Sequence, residues 1–162
     1  HYGYRKDRSD KETWLVDEEA AKVVRKTFSL CIAGLGPLQI AQRLRKEQVL
    51  NPTAYRLIVG NPTPADPYHW DNKAVAAILE RMEYLGHTVN FKGTKKSYRS
   101  KKRIKNSPEK WRVIPDTHPA IIEQAQWDRV QELRKNKRRP TKTGKHNIFS
   151  GLVECADCGA KL

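Results

Sequence analysis

The chain has 162 residues, among which 32 Lys and Arg oppose 18 Asp and Glu for a formal charge of +14. That length suits one domain with a hydrophobic core and tails rather than two full domains, and that charge points to a polyanion, nucleic acid first and an anionic membrane surface second. No apolar run nears the roughly 20 residues that span a bilayer and no signal segment opens the chain, so a soluble, cytoplasmic protein is expected.

After an opening HYGYRKD, Thr13, Trp14, Leu15 and Val16 make a short β-prone run that predicts one strand. Asp17, Glu18 and Glu19 then supply a cap and negative charge where the positive end of a helix dipole favours it. Ala20, Val23, Val24, Phe28 and Cys31 follow at helical spacing, which predicts a helix over 18–33 that Gly34 ends. Cys31 reads as a small buried apolar residue. Pro37 opens a second helix, because the first helical position has no use for an amide hydrogen. Its inner stripe is Ile40, Ala41 and Leu44, with Arg43, Arg45 and Lys46 outward. Pro52, Pro62, Pro64 and Pro67 then argue against regular structure across much of the connection to Trp70.

The stretch 70–86, WDNKAVAAILERMEYLG, predicts a helix capped by Asp71 and closed by a left-handed Gly86. Val75, Ile78, Leu79, Met82 and Leu85 fall on one face, which must be buried. The opposite side carries Asn72, Lys73, Ala76, Glu80 and Arg81, side chains suited to a DNA major groove. An ordinary amphipathic helix with a solvated polar face has the same pattern. This helix and the one after Pro37 suggest a helix-turn-helix pair, but some twenty residues stand where that unit has a turn of a few.

HTVNF at 87–91 predicts a strand that Trp111 to Ile114 can join as a long-tipped hairpin. Between them Lys92, Lys95, Lys96, Arg99, Lys101, Lys102, Arg103, Lys105, Lys110 and Arg112 face the single Glu109. Such a run is expected to repel itself and stay mobile until a polyanion neutralises it, or else to be a merely solvated loop. A last helix follows Thr117, His118 and Pro119, with Ile122, Ala125, Val130 and Leu133 as its buried stripe. It runs into Arg134, Lys135, Lys137, Arg138 and Arg139. Cations suit a helix C-terminus, but this density exceeds that need, so 134–148 is expected to be a linker touching phosphate through Lys135, Lys137, Arg138, Arg139, Lys142 and Lys145.

The terminal CADCGAKL places Cys155 and Cys158 at a spacing that lets two thiolates reach one metal. Structural zinc needs four ligands, so the pair is at most half a site. A thioredoxin-like redox pair would need a βαβ context that is absent. A chain that begins at His1 and stops four residues after Cys158 reads as a piece of a longer protein. His1, His69, His87, His118 and His146 are scattered, and neither a Gly-rich phosphate loop nor a Gly-x-Ser-x-Gly turn occurs. No catalytic activity and no cofactor are expected within this segment.

In succession, Gly3-Tyr4, LVDEEAAKVVRKTF at 15–28, IAQRL at 40–44, Trp70 with AVAAILERMEYLG, HPAIIEQAQWDRVQ at 118–131 and FSGLVECADCGAKL at 149–162 resemble the central DNA-binding domain of large serine recombinases, the phage and transposon integrases. The resemblance covers nearly the whole chain. It departs at Arg81-Met82, where the family often has Asn-Pro, and in a longer 50–69 connection. It implies a catalytic serine in a domain preceding His1, a zinc ribbon that begins at 149–162, and an intact enzyme acting as a dimer or tetramer on double-stranded attachment sites. The resemblance also implies a bacterial or phage origin. The expected architecture is α+β: about four helices around a small sheet near residues 13, 87 and 111 in a domain spanning 1–133, then the 134–148 linker and a truncated ribbon at 149–162. The leading candidates for DNA contact are Asn72, Lys73, Ala76 and Arg81 in the helix and Lys92, Lys95, Lys96, Arg99, Lys101, Lys102, Arg103 and Lys105 in the basic run. Two other readings stay open: a free-standing DNA- or RNA-binding regulator, and a scaffold whose basic surface meets an acidic protein.

Overall fold

Asp17 begins the first long helix of the computed structural model, which describes residues 1–7, 9–10, 13–57, 65–135 and 155–156. Its carboxylate accepts from the Ala20 amide at 3.5 Å, and α1 runs Glu18–Ile32 with Ala20, Val24, Phe28 and Cys31 buried, as the spacing requires. In α2, Pro37–Lys46, the Gln39 side chain accepts from the Gly36 amide at 2.9 Å, and Ile40, Ala41 and Leu44 turn inward. Arg43, Arg45 and Lys46 are exposed.

The proline-rich connection corrects one expectation. Pro52 starts a short helix, α3, Pro52–Leu57, because Asn51 Oδ1 takes up the amides of Thr53 at 3.0 Å and Ala54 at 2.8 Å. A proline at a first helical position lacks only an amide that would be unpaired there.

The helix expected over 70–86 is two pieces. Asp71 caps α4, Asn72–Leu79, and after an extended Arg81 (φ −83°, ψ 111°) a 3-10 turn runs Met82–Leu85. Burial of Tyr84 explains the break. In an unbroken helix its ring would lie opposite the stripe of Val75, Ile78 and Leu79. The break turns it inward, where its hydroxyl donates to the Tyr2 carbonyl at 3.0 Å. Gly86 closes the turn with φ +89°, and a β-carbon there would stand 2.6 Å from the His118 carbonyl.

Strands are short and paired in twos. β1, Tyr4–Lys6, runs antiparallel to β2, Trp14–Val16, with Tyr4 opposite Val16. The hairpin expected from 87–91 and 111–114 is present as β3, Thr88–Asn90, and β6, Arg112–Ile114, with Thr88 opposite Ile114. Within it a second ribbon joins β4, Gly93–Lys95, to β5, Arg103–Lys105. The single sheet anticipated near residues 13, 87 and 111 is therefore three separate two-stranded ribbons among the described residues. The basic run is not an unstructured loop: the backbone pairing of β4 with β5 spreads its cations along an extended frame.

α5, Gln124–Lys135, closes the domain on α1 and α4. Its stripe differs from the expected one, since Ala125 is exposed and Ile122 lies before the helix, where the Ile121 and Ile122 amides both donate to the Tyr84 carbonyl. The core joins Val24, Phe28, Ile40, Leu44, Val75, Ile78, Leu79, Tyr84 and Val130. Trp70 is pinned against it by an indole N–H to the Val49 carbonyl, 2.9 Å. Of the expected linker and terminal ribbon, only Arg134, Lys135, Cys155 and Ala156 lie within the described residues.

Candidate nucleic-acid interface

α4 buries Val75, Ile78 and Leu79 against α1, α2 and α5, which leaves its opening turn outward. Asn72 and Lys73 are exposed and Ala76 is half-buried beside them. Arg81, at the break after α4, is half-buried and lines a cleft of about 260 Å³ with His1, Pro52, Ala74, Ala77 and Arg56. His1 also borders a second cleft, of about 630 Å³, whose other walls include Glu83, Phe91, Lys92, Arg103 and Lys105. His1 is thus common to a cleft lined by Ala74, Ala77 and Arg81 and to a cleft lined by the ribbon, whereas Asn72, Lys73 and Ala76 line neither.

Alternation sorts the ribbon's side chains. Gly93 stands opposite Lys105 and Lys95 opposite Arg103, so Lys95, Arg103 and Lys105 share one face, while Thr94 and Ile104 share the other. Lys96, Arg99, Lys101 and Lys102 crowd the exposed tip together with Tyr98, whose hydroxyl accepts from Arg99 Nε at 2.7 Å. No ion pair among the described residues takes up Lys95, Lys96, Arg99, Lys101, Lys102, Arg103 or Lys105.

The cations of α1 and α2 contrast with these. Lys26 and Arg43 both bond Glu47, Lys26 through a short contact, and the two hydrogen bonds hold its carboxyl below the ordinary range. Arg45 pairs with Asp66 at 2.8 Å. On these two helices Lys46 alone has no ion pair among the described residues, whereas the ribbon and its tip carry seven such cations, Lys95, Lys96, Arg99, Lys101, Lys102, Arg103 and Lys105.

Lys92 behaves differently from its neighbours in sequence. Its Nζ reaches both oxygens of the Glu83 carboxylate at 2.7 Å, and that carboxylate is 6% exposed. Lys135 is exposed at the last residue of α5. Lys137, Arg138, Arg139, Lys142, Lys145 and Cys158 lie outside the described residues, whereas Cys155 is half-buried. Among the described residues no group of three or more His, Cys, Asp or Glu converges on a point. Nothing described there completes a tetrahedral zinc site.

Three residues of this region escaped the sequence reading. Arg56 belongs to α3, whose Asn51-Pro52 start is a legible cap signal. Glu83 gave no signal, being one acidic residue in a helical pattern. His118 sits with Nε2 at 2.8 Å from the Glu83 carbonyl and its ring edge-on to Tyr4, 4.7 Å between centroids. Behind the clefts, Tyr55 donates to Asp17 Oδ1 at 2.8 Å, and burial followed by that bond pushes its hydroxyl up to about 12.

The sequence pattern of the Recombinase family matches residues 18–137. The chain belongs to the Recombinase family. A relative named "Putative DNA recombinase", from Bacillus subtilis (strain 168), is 33% identical over 167 residues, covering 98% of this chain and 31% of the relative. This recombinase-family chain therefore spans about a third of that protein's length. The fold is shared with two solved structures. One, "Crystal Structure of a LSR-DNA Complex", has a TM-score of 0.54 at 20% identity, over 99% of this chain and 41% of the other. The second, "Sequence Requirements of the Listeria innocua prophage attP site", has a TM-score of 0.55 at 19% identity, over 99% and 53%. No described helix is long and apolar enough to cross a membrane.

Proposed function

We propose that this segment is the sequence-directed, duplex-DNA-binding module of a large serine recombinase, and that it places a catalytic domain carried elsewhere in the protein on its attachment sites. The observation that carries this reading is a ribbon whose cations lack carboxylate partners, on a domain that also leaves the opening turn of α4 exposed. A major groove admits a helix, and Asn and Lys read base edges there. Cations on the ribbon neutralise phosphate. The family match supports the role, as do the DNA recombinase named among its relatives and the LSR–DNA complex and attP site among its structural neighbours.

In this assignment Asn72, Lys73 and Ala76 face base edges, and Arg81, Lys95, Lys96, Arg99, Lys101, Lys102, Arg103 and Lys105 face phosphate. Lys135, Lys137, Arg138, Arg139, Lys142 and Lys145 continue along the duplex. The domain proper ends near 133, and 149–162 begins a zinc ribbon in which Cys155 and Cys158 supply half of the ligands and later residues the rest. The intact enzyme works as a dimer or tetramer on DNA in the bacterial cytoplasm, where it cleaves and rejoins its sites.

Titration of a duplex selected from a randomised library, against random duplex, tests the role. With about six phosphate contacts, affinity falls roughly a thousandfold between about 50 and 200 mM salt. A flat salt dependence, or no preference for the selected duplex at any salt, overturns the proposal.

A further inference from the structure

Lys92 lies at the stem of the β4–β5 ribbon, where several bonds converge. Its ammonium faces the two oxygens of Glu83 and stands 5.3 Å from the centroid of the Trp111 ring. The Lys92 carbonyl accepts from the Asn106 amide at 3.0 Å, just beyond β5. The Asn106 side chain donates to the Phe91 carbonyl at 2.8 Å, and the Trp111 indole donates to the Asn106 carbonyl at 3.1 Å. Both strands of the ribbon are thus fastened around one lysine, beside a Phe91 held at φ +59°.

Glu83 is fixed from the core side. Its carbonyl accepts from the Tyr4 hydroxyl at 3.3 Å and from His118 Nε2 at 2.8 Å, and His1 Nε2 is 3.8 Å from its Oε1. A phosphate that drew Lys92 away would leave a buried carboxylate unpaired, which is strongly unfavourable. The charge of Lys92 is already engaged.

We propose that Lys92 is a positioning residue: through the buried Glu83 it sets the direction in which the ribbon leaves the helical core, and so presents Lys95, Arg103 and Lys105 to duplex DNA. The proposal rests on the DNA-binding reading above, and it separates Lys92 from the cations that touch phosphate.

The sign of the Glu83→Gln effect decides between the two accounts. Loss of a carboxylate makes the protein more positive, so general electrostatics gives tighter duplex binding. The anchor gives weaker binding, by about tenfold or more, with a salt slope shallower by roughly two to three units as the ribbon's cations release fewer counterions. Lys92→Gln should match that loss, exceeding the roughly one unit that a single phosphate contact carries, and Lys92→Arg should restore the wild-type slope. Tighter or unchanged binding by Glu83→Gln, or a loss of only about one unit in Lys92→Gln, overturns the proposal.

Each variant is titrated at a temperature where circular dichroism shows it folded. Should a single variant fail to fold, the pair Glu83→Leu with Lys92→Met removes both charges and keeps the volume, and it should bind as weakly as described. Wild-type binding by that pair overturns the proposal. If the wild-type protein binds no duplex, the DNA reading falls on its own, and amide hydrogen exchange then decides the anchor. Faster exchange across 93–105 in Glu83→Gln, with α1 and α4 unchanged, upholds it. Unchanged exchange across 93–105 overturns it.

Discussion

Gln131 in α5 donates its side-chain amide to the carbonyl of Leu79, 2.7 Å away, at the last residue of α4. Leu79 is fully buried, and one turn along α5 Arg134 pairs with Glu80 at 2.6 Å. The end of the proposed reading helix is therefore held from α5. Gln131→Met keeps the length and apolar stem but removes the donor, so the Leu79 carbonyl loses its side-chain partner. The expected loss is about 1–3 kcal/mol of stability, read from urea unfolding. An unchanged midpoint would show that another donor replaces Gln131.

Asn72 and Lys73 should fail differently from the ribbon tip. Replacing either with Ala is expected to cost about 1–3 kcal/mol on a selected duplex and little on random DNA, because base contacts carry the sequence information. Replacing Lys101, Lys102 and Arg103 together should weaken both duplexes alike and flatten the salt slope by up to roughly three units. Paired titrations across salt give the answer. Equal losses on both duplexes for the Asn72 and Lys73 variants would make α4 a phosphate clamp or plain scaffold.

Gly86→Ala should be among the most damaging small substitutions in the chain. A side chain at φ +89° is strained, and its β-carbon would meet the His118 carbonyl at 2.6 Å. Backbone resists displacement more than a side-chain tip does, so at least about 2 kcal/mol of stability should be lost. Chemical denaturation measures it, and a loss below about 0.5 kcal/mol would mean that the 116–120 segment shifts freely.

Alkaline pH should loosen the fold through its tyrosines. Burial raises the hydroxyls of Tyr2, Tyr4 and Tyr84, and burial with the Asp17 bond brings Tyr55 to about 12, against an ordinary 10.0. Each folded value lies above the unfolded one. The stabilisation is therefore complete below pH 10 and is lost as pH rises toward the folded values. The urea midpoint should hold steady from about pH 8 to 9.5 and fall beyond, and Tyr55→Phe should make that fall shallower. A midpoint independent of pH up to about 11 would contradict the burial of these rings.

Much of the helical frame was legible because its signals are local. Asp17 before an apolar stripe, Pro37 at a first position and Asp71 before Val75 each declare a helix start within a few residues. Gly86 was legible for the same reason. What escaped depends on contacts distant in sequence. The split after α4 follows from Tyr84 seeking the Tyr2 carbonyl, 82 residues away, and no periodicity within 70–86 encodes that partner. Tyr4–Lys6 becomes a strand because Trp14–Val16 lies alongside it, although its own three residues are mostly charged. The candidate contact residues were legible by type, since exposed Asn and Lys at a helix start and runs of Lys and Arg announce themselves. Which cations were already engaged was not: Lys92 looks like its neighbours until Glu83 is placed beside it.

Asn90 and Arg112 face each other across β3 and β6, so the excursion that carries β4 and β5 leaves and returns through adjacent points of the domain. Lengthening or trimming an excursion whose ends are already held together changes closure entropy only slowly, about 0.6 kcal/mol for each doubling. The helices beneath need not rearrange to accommodate it. Descendants of one such domain can therefore diverge in reach, exchanging one projection for another of different length, while inheriting an unaltered base.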